Sequence, residues 1–183
     1  MSAIEPLTIG QVAPELRTLL QPIVDRLGYF GAFFGYAGHA PGPLAGFMQY
    51  SGALKAALPD DLNEAIALTV CTRLDFAYER IQHERLAVKL GLARDWIAAL
   101  VGRSSPADLA GSQAAARALA LAVLDDRLAD AKLALDALAD AEGPAVAVAA
   151  LFQVTRFREI CAIGRLFAIK PPVASIFADD QLQ

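Results

Sequence analysis

The sequence has little of what many catalytic and binding chemistries need in quantity. It holds only two cysteines and two histidines in 183 residues: Cys71, Cys161, His39 and His83. Two cysteines this far apart make no secreted disulfide framework, and they fit a reducing cytosol. No basic run exceeds a dipeptide, and 16 basic residues stand against 20 acidic ones for a formal charge of -4. Nucleic-acid binding, which rests on neutralising phosphates, therefore has no footprint. Also missing is any uninterrupted apolar run of the ~20 residues that a membrane helix needs. The stretch from Leu27 to Phe47 comes closest, but it is Gly-rich, broken by Pro41 and Pro43, and carries His39. The first ten residues include Glu5 and no basic cluster, so they do not read as a signal peptide. Strand-like alternation of apolar and polar residues is absent as well, which excludes a sheet protein.

What is present in excess is apolar side chain. Hydrophobic residues make up 56% of the chain and the mean hydropathy is +0.41, more than a monomer of this length needs for its own interior. With lipid disfavoured, a homo-oligomer with apolar interfaces is the expected way to cover the surplus. The length fits a single domain over 1–183.

Helical periodicity dominates, and the chain reads as all-α with seven or eight helices. The first begins near Pro14 and is interrupted or restarted at Pro22 before Gly28. Tyr29 to Gly42 is expected to be irregular. A helix from Pro43 to Ala57 closes at Pro59, with Asp60 or Asp61 capping the next one. The run from Leu62 to Leu90 reads as two helices meeting near Arg73 and Leu74, with Asp75 as a second cap and Gly91 as the stop. A short helix over Trp96 to Val101 follows, then one from Gln113 to Arg127 and another from Asp130 to Asp140. After Glu142-Gly143-Pro144 a long apolar helix runs to about Ile169.

Most of the polar groups set among apolar residues lie between Glu64 and Glu84. Glu79 and His83 are four apart, so on a helix they share a face. A carboxylate beside an imidazole raises its pKa and orients it, which is how a general acid or base is tuned. By spacing alone such a pair is also an ordinary solvated couple. Arg73 and Arg80 are candidate carboxylate binders and equally ordinary ion-pair residues. Tyr29, Phe30, Phe33, Phe34 and Tyr36 are either core or the apolar wall of a pocket. His39 reads as a local hydrogen-bonding residue. No repeated Glu-x-x-His sets accompany it, so no metal site is expected.

The pattern Tyr78-Glu79-x-x-x-His83-x-x-x-Ala87-x-x-x-Gly91-Leu92, preceded by Glu64, resembles the core motif of the carboxymuconolactone decarboxylase-like family and its alkylhydroperoxidase (AhpD-like) relatives. The segment His39-Ala-Pro41-Gly-Pro43-Leu-Ala-Gly46-Phe47 resembles the stretch that precedes that core, and the likeness covers about 38–101. The resemblance implies a compact all-helical fold and a trimer or hexamer. It also implies that Glu64 and His83 stand where the family keeps its proton-relay carboxylate and histidine; His83 is then the candidate general acid, with Glu79 orienting it and Glu64 relaying or holding a proton. In the redox branch a Cys-x-x-Cys pair stands just before the histidine, and those positions here are Phe76 and Glu79. Without vicinal thiols to resolve an oxidised sulfur, the usual peroxidase route is lost.

These observations lead to a cofactor-independent decarboxylase or related proton-transfer enzyme acting on a small organic acid or lactone. The catalytic candidates are His83, Glu79 and Glu64, and the substrate contacts are Tyr78, Cys71, Phe34 and Tyr36. Two alternatives stand beside it: an antioxidant protein using Cys71 as a lone peroxidatic thiol, and a non-catalytic oligomeric ligand-binding protein. Neither Cys71 nor Cys161 has an obvious resolving partner in the sequence, and each also reads as a small buried hydrophobe.

Overall fold

A computed structural model describes residues 3–105, 109 and 111–178 of the chain. Among the described residues there are nine helices and no strand: α1 (Pro14–Leu27), α2 (Ala32–Ala37), α3 (Pro41–Ala57), α4 (Asp60–Arg73), α5 (Ala77–Lys89), α6 (Arg94–Leu100), α7 (Gly111–Leu124), α8 (Leu128–Glu142) and α9 (Pro144–Leu166). The ninth helix beyond the expected count is α2, a six-residue turn inside the aromatic segment expected to be irregular.

Helix α4 is the axis of the molecule. Every residue from Leu62 to Cys71 is buried, so the helix is covered on all sides, by α5, α6, α7 and α9. Helix α8 packs on α7 and α9, and α3 lies on α9. The main core holds Leu16, Leu20, Phe33, Leu62, Ile66, Leu119, Leu138 and Phe157. A smaller core gathers Ala65, Leu68, Ala87, Ile97, Leu100 and Phe177. The buried carboxylate of Glu84 ties down the segment after α9. It accepts from Ser175 Oγ at 2.5 Å and from the Ile176 backbone N–H at 3.3 Å, and it pairs with Arg80.

Several expectations about helix ends change. Helix α1 runs through Pro22 without interruption, although a proline past the first turn lacks the backbone donor that an inner helical position uses. The N-cap of α4 is Pro59, without a side-chain cap bond. Asp60 and Asp61 lie in the first turn instead, where they favour the positive helix end, and Asp61 Oδ2 accepts from Gln113 Nε2 at 2.7 Å. The two-helix reading of 62–90 holds, but Asp75 is not a cap. It takes a left-handed φ of 51° in the turn itself, and Phe76 holds the cap position of α5. Asp is one of the few residues that accept this conformation. None of the described helices is long and apolar enough to cross a membrane.

Candidate active site

The turn at Asp75 folds α5 back along α4, and this brings two distant parts of the motif together. His83 Nδ1 donates to Glu64 Oε2 at 2.8 Å, across nineteen positions of sequence. On the other side of the ring, His83 Nε2 lies 3.6 Å from Glu79 Oε2, one helical turn earlier on α5. Glu64 is wholly buried, whereas the side chains of His83 and Glu79 are 14% and 15% exposed. His83 and Glu79 are thus the partly exposed members of the trio. Glu64 is held in turn, since Asn63 Nδ2 donates to its Oε1 at 3.2 Å and Gln153 Nε2 on α9 donates to Asn63 Oδ1. The polar chain crosses three helices.

Burial presses the His83 pKa down, but the charge and hydrogen bond of Glu64, joined by Glu79, outweigh it and bring the imidazole up to about 10. At neutral pH the ring is an imidazolium clamped between two carboxylates. Its Nε2 edge faces Glu79.

The remaining site candidates are placed unevenly. Cys71 is fully buried on α4, and burial pushes its thiol pKa up, so it is not the accessible thiolate that peroxide chemistry needs. It does have a neighbour that the sequence did not reveal: Cys161 Sγ on α9 lies 3.8 Å from Cys71 Sγ. Tyr78 is buried against Gly31, and burial foremost raises its hydroxyl pKa. Phe34 packs edge-on against Phe33, and Tyr36 stacks on Phe167 at 4.2 Å. These aromatic contacts join α2 to its neighbours and assemble core. His39 does not approach the carboxylates of α4 and α5, because its Nε2 bonds the Glu5 carbonyl at 2.8 Å. Surface clefts lie beside His39 and along α1, and neither is lined by Glu64, Glu79 or His83. Among the described residues, no group of three or more His, Cys, Asp or Glu side chains is arranged to hold a metal ion.

Both arginines picked out in the sequence are committed elsewhere. Arg73 binds Asp125 at 2.6 Å, and Arg80 pairs with buried Glu84. The cation near the acid-base groups is Arg156 on α9, which sequence reasoning missed. Its guanidinium lies 4.8 Å from the centroid of Phe157, and the His83 ring meets the same phenyl edge-on at 5.0 Å. Burial lowers its pKa, and Glu79 is the foremost charge opposing that shift. Only the packing of α9 onto α4 brings Arg156 here, so the motif around His83 carried no signal for it.

No family model and no curated protein sequence matches the chain. Solved structures do. A cysteine-to-alanine variant of the debrominase Bmp8 in complex with 2,3,4-tribromopyrrole superposes with a TM-score of 0.81 at 18% identity, over 100% of this chain and 98% of that one. An alkylhydroperoxidase AhpD core structure, an uncharacterized peroxidase-related protein from Ralstonia eutropha JMP134, gives a TM-score of 0.76 at 18% identity over 91% and 90%. With nine described helices in the same arrangement and near-complete coverage in both directions, the chain has the all-α AhpD-like fold anticipated from the motif around His83.

Proposed function

We propose that this protein is a cofactor-independent acid-base enzyme, working as a homo-oligomer, that decarboxylates or otherwise protonates a small organic acid or lactone. The observation that supports this reading is the His83 imidazolium held between buried Glu64 and partly exposed Glu79. In a decarboxylation the bond to the carboxyl carbon breaks, carbon dioxide leaves, and the electron pair stays on the substrate. His83 Nε2–H then protonates that carbanion or enolate, and a proton from water restores the imidazolium.

For this step Glu79 must yield its place at Nε2. At 3.6 Å it makes an ion-pair contact longer than a hydrogen bond, so a substrate can displace it at modest cost. Glu64 stays hydrogen-bonded throughout, fixing the ring and stabilising whichever proton remains on Nδ1. That one structural neighbour holds a small flat ring, 2,3,4-tribromopyrrole, is consistent with a substrate of similar size.

A redox reading has one observation in its favour, the 3.8 Å approach of Cys71 and Cys161. It ranks second because both sulfurs are buried and the Cys71 thiol is pushed away from its thiolate form. The test of the leading reading is a panel of activated small acids and lactone acids, scored for carbon dioxide release and for deuterium uptake from heavy water. His83→Gln is expected to reduce turnover by about 10² to 10⁴ while the helical fold is kept, because glutamine preserves a hydrogen bond but exchanges no proton near neutrality. Near-normal turnover in that variant would place the acid elsewhere.

A further inference from the structure

We propose that Arg156 is the anchor for the carboxylate of the substrate, which makes the preferred ligand a small monoanionic acid with a flat apolar body. The inference rests on the acid-base reading and adds the group that selects and orients what His83 protonates.

Arg73 and Arg80 have carboxylate partners in contact, and Arg127 is shared between Asp125 and Asp130. Arg156 has none among the described residues. Its single protein hydrogen bond runs from Nε to Ser51 Oγ at 2.7 Å, and Ser51 is itself fixed by donating to the Phe47 carbonyl at 2.7 Å. The two terminal amino groups of the guanidinium are left without a protein acceptor, and they form the fork that matches a carboxylate. Among the described residues the half-buried guanidinium has no carboxylate in hydrogen-bond contact, Glu79 acting on it only at longer range, so an incoming anion can pair with it directly.

The surroundings set the character of the ligand. The guanidinium lies over two phenyl faces, Phe47 at 5.3 Å and Phe157 at 4.8 Å, so the anion site has apolar walls. Phe157 is the shared element, with Arg156 against its face and His83 against it edge-on at 5.0 Å. Glu79 links the same two residues, since it contacts His83 Nε2 and is the foremost carboxylate acting on Arg156. A molecule whose carboxylate bridges the Arg156 fork therefore brings its apolar body along Phe157 toward the Nε2 edge of His83. Glu64, His83, Glu79 and Arg156 together carry no net charge when all four are ionised, so an anion meets no prevailing repulsion.

Benzoate and its neutral counterpart benzamide are the probes, titrated into the full chain and followed by amide NMR shifts and calorimetry. The parent protein is expected to bind benzoate saturably and benzamide at least about tenfold more weakly, the difference a charge-assisted pair supplies. Arg156→Gln should weaken benzoate by about tenfold or more and erase the preference for the anion. Arg156→Lys, which keeps the charge but not the fork, should keep the preference at lower affinity. His83→Gln should still bind benzoate, which separates failure of the anchor from failure of the acid. Equal or undetectable binding of the two probes by the parent protein would overturn the proposal. So would an undiminished preference in Arg156→Gln, or loss of benzoate only in His83→Gln. Should Arg156→Gln not fold, the parent's discrimination and the lysine variant decide between the same outcomes.

Discussion

At the scale of single residues, His83 couples the chemistry of the site to the stability of the fold. Its pKa in the folded protein is about 10, against about 6.5 for a free histidine. The folded state therefore holds the proton more tightly than the unfolded chain. The stabilisation is fully present below about pH 6.5 and is lost progressively as pH rises through about 10. The expected outcome is a fall in unfolding free energy of the order of a few kcal/mol between these limits, beyond that shown by His83→Gln, measured by urea denaturation at several pH values. Parallel profiles for parent and variant would mean that the pair with Glu64 does not hold the proton. The nearness of Glu79 to His83 was legible in the sequence, because four residues on a helix face always share a side. The closure by Glu64 was suggested there only through the family resemblance, because it depends on a turn whose direction Asp75 and the packing of α5 on α4 decide.

At the scale of helices, Phe76, the position that the motif resemblance matches to the first cysteine of the redox branch, shows how a bulky ring is housed at the start of α5. Phe76 is buried there, and its ring lies directly on Gly164 of α9, so closely that a Cβ at 164 would overlap the ring. The bulk added at the start of α5 is thus accommodated by a missing side chain on α9. Gly164→Ala is expected to destabilise the protein by ~1–3 kcal/mol, the usual cost of overpacking a core. Adding Phe76→Leu should restore part of that loss, and thermal or urea unfolding of the four proteins gives the coupling. Strict additivity would show that ring and glycine do not meet. The sequence placed most helix centres well, from α3 through α9, because Pro, Gly and Asp breaks bracket these segments even where, as in α4, the helix is buried on all sides. It misjudged their ends at Pro22, Asp60 and Asp75, where a tolerated proline, a dipole-favoured carboxylate and a left-handed turn each look like a cap or a break in one dimension.

At the scale of the whole molecule, the apolar surplus in the composition reappears as uncovered side chains on the last two helices. Leu128 and Leu133 on α8 and Phe152 and Leu166 on α9 are all more than half exposed, at 73%, 69%, 52% and 81%. A homo-oligomer that buries part of this surface is the proposed arrangement. Light scattering at micromolar concentration is expected to give a mass above 19.4 kDa, with Phe152→Ser shifting the equilibrium toward the monomer; a monomeric parent would count against it. The sequence by itself determined the all-helical class, the break between α4 and α5, and the Glu79-His83 couple, because each follows from spacing along one chain. Only the tertiary structure decided that Arg73 is occupied by Asp125, that Cys71 lies beside Cys161, and that Arg156 shares the Phe157 ring with His83. The physical reason is common to all of them. Each is a contact between helices far apart in sequence, set by how α9 and its neighbours pack around α4, and no periodicity within one helix encodes which residue of another it will meet.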